Sequence, residues 1–225
     1  MVIDIQHYFC FMKRFRWQIA QFFENFWWKR YLKNRASSEY LAWKKDYWTT
    51  FLSDISLSPT AVQEPIIDIG CGPAGIFLLF EGKEITALDP LLTQYEELAI
   101  FKKKAYTSVD FANERFEDFT AAKKYKTIFC LNAINHFVDI DFSFNKLREI
   151  CDNQGELVLS VDAHNFSFFR KLFALIPFDI LHPHQYNLAE YEHFLEKSGF
   201  SIDRKVVLKK EFFFDYWVLV AKPTH

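Results

Sequence analysis

The stretch Ile66-Ile67-Asp68-Ile69-Gly70-Cys71-Gly72-Pro73-Ala74-Gly75 joins a short apolar run to a glycine-rich loop. We predict a strand over 66–69, a helix over 76–80, and a second strand over 84–88 that ends at Asp89-Pro90. Glycines let backbone amides approach a ligand closely, and a carboxylate ending the second strand can accept hydrogen bonds from a ribose diol. The stretch therefore predicts a nucleoside-binding loop between a strand and a helix.

Two features of this loop argue against a dinucleotide ligand. Asp68 would place a second negative charge beside a pyrophosphate, whereas it would attract a cationic amine. Pro73 lacks the amide proton that a pyrophosphate site would use. Asp68 has a second interpretation, in which it only accepts hydrogen bonds from loop amides and contacts no ligand. The literal Gly-x-Gly-x-x-Gly spacing keeps a nicotinamide-dependent oxidoreductase as an alternative.

Strands and helices alternate after the loop. We predict helices over 92–103 and 142–151 and strands over 109–113, 127–131 and 156–161, an order typical of a parallel sheet covered on both faces. Asn187 and Glu190 have the spacing of a capping box, and Gly199 suits the end of that helix. Strands predicted over 201–208 and 212–221 are too close for a crossover, so the last strand should be antiparallel to its neighbour.

These segments resemble the motifs of class I S-adenosylmethionine-dependent methyltransferases over about residues 60–222. Residues 68–75 are similar to the first motif, and Leu88-Asp89-Pro90 to the second. Residues 109–118 resemble the adenine-side segment, 125–137 the fourth-strand motif, and 155–160 the fifth strand. The resemblance implies an α/β fold: a Rossmann-like, doubly wound, mostly parallel seven-stranded sheet with an antiparallel last strand.

The resemblance also implies a cofactor, S-adenosylmethionine, and a role for each matching position. The loop from Gly70 to Gly75 would pass under the methionine moiety, Asp89 would hold the ribose hydroxyls, the Phe116 amide would meet the adenine edge, and Asn132 would lie near the transferable methyl group. The full set of implied cofactor residues is Asp68, Gly70, Cys71, Gly72, Gly75, Asp89, Pro90, Arg115, Phe116, Asn132 and Ala133. Arg115 stands where the family often has an acid, so Glu117 or a water would contact the adenine amino group instead.

Two histidines are candidate general bases, since a neutral imidazole can take a proton from an acceptor hydroxyl near pH 7. His136 follows the fourth strand and His164 follows the fifth. The alternative for each is a structural histidine bonded to the backbone. His182 and His184 fall in a segment that we interpret as a lid, with a structural role in it, and the spacing of the histidines predicts no metal site.

The chain divides into an aromatic, basic helical extension over 1–57 and a domain over 58–225, with a lid insertion at about 163–186. Residues 1–48 carry nine Lys/Arg against four Asp/Glu, although the whole chain has a net charge of -2. We predict an amphipathic helix before residue 35 and a second helix over about 38–52. The first helix should pack on its own domain rather than on a membrane. The acidic remainder of the chain argues against nucleic acid.

Composition fits a globular, cytoplasmic protein. Half of the residues are hydrophobic, the cysteines are scattered without ligand-like spacing, and the charges near the N-terminus follow the apolar residues, unlike a secretory signal. The sequence predicts methyl transfer to an apolar or aromatic small molecule, with oxygen as the acceptor atom. The alternatives are a non-catalytic S-adenosylmethionine-binding regulatory module and a methyltransferase that acts on a lipid.

Overall fold

The computed structural model describes residues 36–165 and 186–224, together with Trp28 and Arg30. The helix expected before residue 35, most of the expected lid, and His182 and His184 lie outside the described residues. The extension is described from Ala36 onward, where helix α1 covers Ser37–Asp54. This agrees with the helix that we predicted over 38–52.

Seven strands form a single sheet in the order β3-β2-β1-β4-β5-β7-β6. Neighbouring strands from β3 to β5 are parallel, whereas β7 is antiparallel to both β5 and β6. The predicted doubly wound sheet with its antiparallel last strand is therefore confirmed. The strands are β1 (Ile66–Ile69), β2 (Ile85–Leu88), β3 (Val109–Ala112), β4 (Tyr125–Leu131), β5 (Cys151–His164), β6 (Phe200–Lys210) and β7 (Phe214–Pro223).

Among the described residues, three further helices lie between the strands: α2 (Leu92–Tyr95), α3 (Ile140–Ile150) and α4 (Leu188–Lys197). The capping box at the start of α4 is confirmed, because Asn187 and Glu190 each accept a hydrogen bond from the other's amide at 2.9 Å. Gly199 follows α4 with a φ of +87°, as a residue that ends a helix often does. Short 3₁₀ turns cover Gly72–Ala74, Ile76–Leu79, Lys103–Ala105 and Ile134–His136.

Two of the predicted helices are wrong in extent or type. The helix predicted over 92–103 is a single turn, and after it the amides of Leu98 and Phe101 donate to carbonyls three residues earlier, which forms turns in place of a continued α-helix. The helix predicted over 76–80 is a 3₁₀ turn. There the amides of Leu78 and Phe80 donate to carbonyls three residues earlier, of Gly75 at 3.3 Å and of Phe77 at 3.1 Å, and the amide of Phe77 donates to the Asp68 carboxylate at 3.1 Å.

Apolar side chains cover both faces of the sheet. One cluster joins α1 to the glycine loop and the turn Ile76–Leu79, and the other joins the sheet to α3 and α4. Within the described parts of the chain, no helix has the length and apolarity needed to cross a membrane. The polar loops meet at the edge of the sheet that the carboxyl ends of the parallel strands form.

Candidate active site

The glycine loop packs closely against Asp68 of β1 and against Ala133, which follows β4. Gly70 has a φ of +70°, and a Cβ atom there would lie 2.4 Å from the Cβ of Ala133. A Cβ atom at Gly75 would lie 2.4 Å from Oδ2 of Asp68. Glycine is required at both positions because no other residue leaves room for the loop to pass.

Asp89 fixes the loop from the neighbouring strand. Its Oδ2 accepts a hydrogen bond from the Gly72 amide at 3.0 Å, and its Oδ1 accepts one from the Leu91 amide at 2.8 Å. An ionised carboxylate offers about four acceptor positions, so this side chain retains capacity for a diol. The arrangement fits the ribose-binding role predicted for Asp89.

A pocket opens at the carboxyl ends of β1, β2 and β4. The structure thus brings together seven of the predicted cofactor residues and one predicted base. Asp68, Cys71, Gly72 and Gly75 do not line this pocket, and their contact with the cofactor stays a prediction. The pocket is lined by Gly70, Asp89, Pro90, Arg115, Phe116, Glu117, Asn132, Ala133, His136 and Phe137.

Asp68 lies beneath the loop, with 2% of its surface exposed. Burial raises the pKa of this carboxyl from 3.8 to about 7, against the opposing effects of the Phe77 amide and the charge of Lys44. The hydrogen bond to Phe77 shows that Asp68 holds the loop, as the second interpretation predicted. A ligand contact through the same carboxylate stays a prediction.

Lys44 of α1 is a charged group that the sequence analysis missed. Its Nζ atom lies 4.3 Å from the ring centroid of Trp48 and 4.7 Å from that of Tyr47. Trp48 in turn donates from Nε1 to the carbonyl of Ala74 at 3.0 Å, which fastens α1 to the glycine loop. Burial lowers the pKa of Lys44 to about 8, and the charge of Asp68 opposes that shift.

A partly buried ammonium beside the first strand can hold the carboxylate of an amino acid moiety. Neither Lys44 nor Asp68 lines the pocket that contains Gly70 and Asp89. Lys44 could have been found from the sequence, because Tyr47 and Trp48 follow it by one helical turn and so lie on the same face of the helix.

On the adenine side of the pocket, several side chains are bound to other residues of the protein. Arg115 donates to Asp118 from Nε at 2.7 Å and from Nη2 at 2.8 Å, so its guanidinium is held as an ion pair. Oε1 of Glu117 accepts from the Val138 amide at 2.6 Å. The Phe116 ring stacks on Phe137 at a centroid distance of 5.3 Å. A contact between Glu117 and the adenine amino group would use its other oxygen and stays a prediction.

The two candidate bases occupy different surroundings. His136 lines the pocket at the end of a 3₁₀ turn. His164 is buried at the end of β5, where its ring lies 4.2 Å from that of Phe214, and it is not part of the pocket. The general-base role of either histidine stays a prediction.

The next question is whether the described residues include metal ligands or reactive thiols. Among the residues that the structure describes, no three His, Cys, Asp or Glu side chains are grouped to hold a metal ion. Cys71, Cys130 and Cys151 are free and buried, and burial raises the pKa of each thiol. Thiols with raised pKa values are poor nucleophiles near pH 7.

The strand order, the glycine loop, the acid after β2 and the pocket between them define a class I S-adenosylmethionine-dependent methyltransferase domain. The methyltransferase domain family matches residues 40–205, which is most of the chain. The chain therefore belongs to this family, and the predicted cofactor, S-adenosylmethionine, follows from the membership and from the fit of the pocket residues.

Solved structures confirm the fold. An S-adenosylmethionine-dependent methyltransferase from Clostridium acetobutylicum aligns with a TM-score of 0.62 at 13% identity, covering 91% of this chain and 99% of that one. Magnesium protoporphyrin IX methyltransferase from Synechocystis, with bound S-adenosylhomocysteine (SAH), aligns with a TM-score of 0.59 at 17% identity, covering 91% and 94%. At these identities the likeness shows the fold alone.

Curated relatives include a protein named ubiquinone biosynthesis O-methyltransferase from Rickettsia typhi. It is 26% identical over 137 residues, which are 59% of this chain and 54% of the relative. The protein of the same name from Rickettsia prowazekii is 30% identical over 91 residues, 39% of this chain and 36% of the relative. The chain thus spans about half the length of these relatives or less.

Proposed function

We propose that this domain transfers a methyl group to a hydroxyl oxygen of an apolar or aromatic small molecule, and that it does so in the cytoplasm. The observation that carries the proposal is the pocket that joins Gly70, Asp89 and Asn132 at one sheet edge. Aromatic side chains stand exposed nearby, on α1 and at the turn between β6 and β7, which include Trp43 and Phe212. The names of the curated relatives favour oxygen as the acceptor atom.

S-adenosylmethionine, when bound, supplies a methyl group that is already activated on a sulfonium centre. The protein then contributes mainly proximity and orientation. In this proposal Asp89 holds the ribose end, and Lys44 with Asp68 holds the amino acid end. Asn132 lines the pocket directly after β4, and its φ of +54° turns the backbone away from the direction of that strand. In this proposal the acceptor meets the cofactor at this turn.

An acceptor hydroxyl that arrives protonated must lose its proton. His136 is the better placed of the two candidate bases, because it lines the pocket that contains Asn132. His164 lies at the end of β5, beside Phe214, and does not line that pocket. If His136→Ala and His164→Ala both left kcat unchanged, base catalysis by histidine would be wrong.

The proposal is tested first by calorimetry and then by turnover. We expect micromolar binding of SAH, with no binding of NAD as the parallel control. A panel of neutral phenols and catechols with labelled S-adenosylmethionine should then yield methyl ethers. Binding without methylation of any acceptor would favour the regulatory module, and binding of NAD alone would overturn the cofactor assignment.

A lipid acceptor is the second candidate, and one observation favours it. Trp43 is 49% exposed and Phe212 is 70% exposed, although both are large apolar side chains. Exposed aromatic rings near a site can insert into a bilayer interface. Co-sedimentation with anionic vesicles that weakens when residues 1–35 are deleted would support this candidate, whereas no co-sedimentation would reject it.

A further inference from the structure

A small polar cluster interrupts the apolar face of the sheet that α1 covers. It contains Tyr47 of α1, Ser160 and Asp162 of β5, and Tyr216 of β7. The same face otherwise buries apolar residues such as Val158 and Val220. Polar side chains placed in an apolar layer usually have partners or a ligand.

Hydrogen bonds join the members of this cluster. Oη of Tyr216 donates to Oγ of Ser160 at 2.8 Å, and the phenol of Tyr47 lies next to that of Tyr216. Asp162 is the direct cross-strand partner of Tyr216, and its charge acts on both phenols. Two phenol groups and one carboxylate therefore meet at the carboxyl end of β5.

The cluster connects directly to the cofactor pocket. The amide of Asn132 donates to Oγ of Ser160 at 2.9 Å and to the Ser160 carbonyl at 3.0 Å. Asn132 itself lines the pocket. Hydrogen bonds thus run from Tyr216 through Ser160 to the residue predicted to lie beside the transferable methyl group, and Tyr47 lies next to Tyr216.

Flat apolar surfaces flank the polar groups. The rings of Trp43 and Tyr47 lie 5.9 Å apart at an angle of 32°, on the exposed side of α1. The turn between β6 and β7 carries Phe213, whose carbonyl accepts from the Asn165 amide at 3.0 Å, so this turn is held at the end of β5. Aromatic walls around a few polar groups are typical of a small-molecule site.

We propose that Tyr47, Tyr216 and Asp162 form the acceptor site and bind the hydroxyl groups of a neutral hydroxylated aromatic molecule. Tyr47 donates a hydrogen bond to the ligand, whereas Tyr216, whose single proton goes to Ser160, and the Asp162 carboxylate accept hydrogen bonds from the ligand hydroxyl groups. An acidic ligand is disfavoured because the carboxylate would repel it. The inference rests on the proposed function, since it names the acceptor for that reaction.

Protonation of Tyr47 supports its donor role, and protonation of Tyr216 keeps the hydrogen bond that it donates to Ser160. Burial raises the pKa of Tyr47 and of Tyr216, and the charge of Asp162 acts in the same direction. Both phenols therefore keep their protons at neutral pH. A tyrosine that keeps its proton can donate to a ligand oxygen but cannot serve as the base.

The test compares two ligands that differ only in their hydroxyl groups: butylcatechol and its dimethyl ether. Each is titrated into the full chain saturated with SAH, and binding is followed by ligand-observed NMR. We expect the wild-type protein to prefer butylcatechol by roughly tenfold or more, since each hydrogen bond contributes about 0.5–1.5 kcal/mol. The double variant Tyr47→Phe/Tyr216→Phe should bind the two ligands about equally, and Asp162→Asn should lose part of the preference.

Two controls separate this site from a general loss of structure. Tyr106→Phe removes a phenol that packs against Phe77 and Phe111, away from β5, and should keep the full preference. The affinity for SAH should be unchanged in every variant.

Equal binding of the two ligands to the wild-type protein would overturn the acceptor site, as would an unchanged preference in the double variant. Methyl transfer is measured on the same samples. A preference for butylcatechol that the double variant loses, without any methylation, would keep the site and overturn the proposed chemistry instead.

Discussion

Asp89 and Gly72 are joined by a hydrogen bond of 3.0 Å between the carboxylate after β2 and the amide of the glycine loop. The acid predicted to bind the ribose is therefore also the residue that shapes the loop. Its second oxygen is held by the Leu91 amide. Because both oxygens are positioned by backbone amides, the carboxylate is preorganised before any ligand arrives.

Replacing Asp89 by Asn should weaken binding of SAH by roughly ten- to a hundredfold. Asn has one acceptor oxygen instead of two and no charge, and a hydrogen bond to a charged group contributes about 1.5–3 kcal/mol. Calorimetric titration measures the effect. Asp110→Asn, on the exposed side of β3, is the matched control and should bind normally. An unchanged dissociation constant for Asp89→Asn would remove this residue from the cofactor site.

Lys44 should recognise the amino acid end of the cofactor. Lys44→Met keeps the length of the side chain and removes its charge. We expect the wild-type protein to bind SAH more tightly than methylthioadenosine, which lacks the amino acid carboxylate, and the variant to lose roughly tenfold or more of that preference. Lys45→Met, at the exposed neighbouring position, should keep it. A preference that is equal in both variants would contradict the assignment.

The local patterns in the sequence predicted the frame of the molecule. The strand and glycine loop of residues 66–75 could be predicted because their conformation depends on residues close in sequence. The Asn187–Glu190 capping box depends on equally local contacts. The helix predicted over 92–103 failed beyond Tyr95, where Phe101 packs against Phe77 and against Phe111 of β3 and the chain does not follow the local periodicity. Tertiary packing routinely outweighs helix propensity of this size.

The acceptor side of the site could not be predicted from local patterns. Tyr216 and Ser160 are 56 residues apart, and they meet only through the register of β5 and β7. Lys44 reaches the loop because α1 packs on the turn Ile76–Leu79, a contact that no spacing in the sequence encodes. The cofactor side was accessible to sequence reasoning because each of its residues follows a recognisable strand.

Asp68 should make the stability of the fold depend on pH. Its pKa is raised from 3.8 to about 7, so between these values the folded chain binds a proton that the unfolded chain has lost. The free energy of unfolding should therefore fall as pH rises from about 4 to 7. Lys44, with a pKa of about 8, stays protonated below pH 7 and contributes little to this slope.

Urea unfolding of the wild type and Asp68→Asn at pH 5 and pH 7 measures this dependence. The wild type should lose roughly 2 kcal/mol relative to the variant between the two pH values, since one pKa unit corresponds to about 1.4 kcal/mol and the carboxyl is already half ionised at pH 7. Asp46→Asn, at an exposed position on α1, should follow the wild type. Parallel curves for wild type and Asp68→Asn would show that the carboxyl titrates normally.

Gly70 should be intolerant of any side chain for two separable reasons. Its φ of +70° is strained for other residues, and its Cβ atom would lie 2.4 Å from the Cβ of Ala133. Gly82 has a φ of +83°, and a Cβ atom there would have no neighbour within 4 Å, so this position isolates the backbone effect. Gly82→Ala should cost about 1–2 kcal/mol of unfolding free energy.

Gly70→Ala should cost that amount and about 1–3 kcal/mol more, because β1 and the turn after β4 must separate to accept the methyl group. Chemical unfolding of the two variants beside the wild type measures the difference. The same displacement would widen the pocket at Ala133, so Gly70→Ala should also weaken binding of SAH, whereas Gly82→Ala should not. Equal losses of stability in the two variants would mean that the loop can move away from β4 without cost, and that the close approach of Gly70 to Ala133 does not define the site.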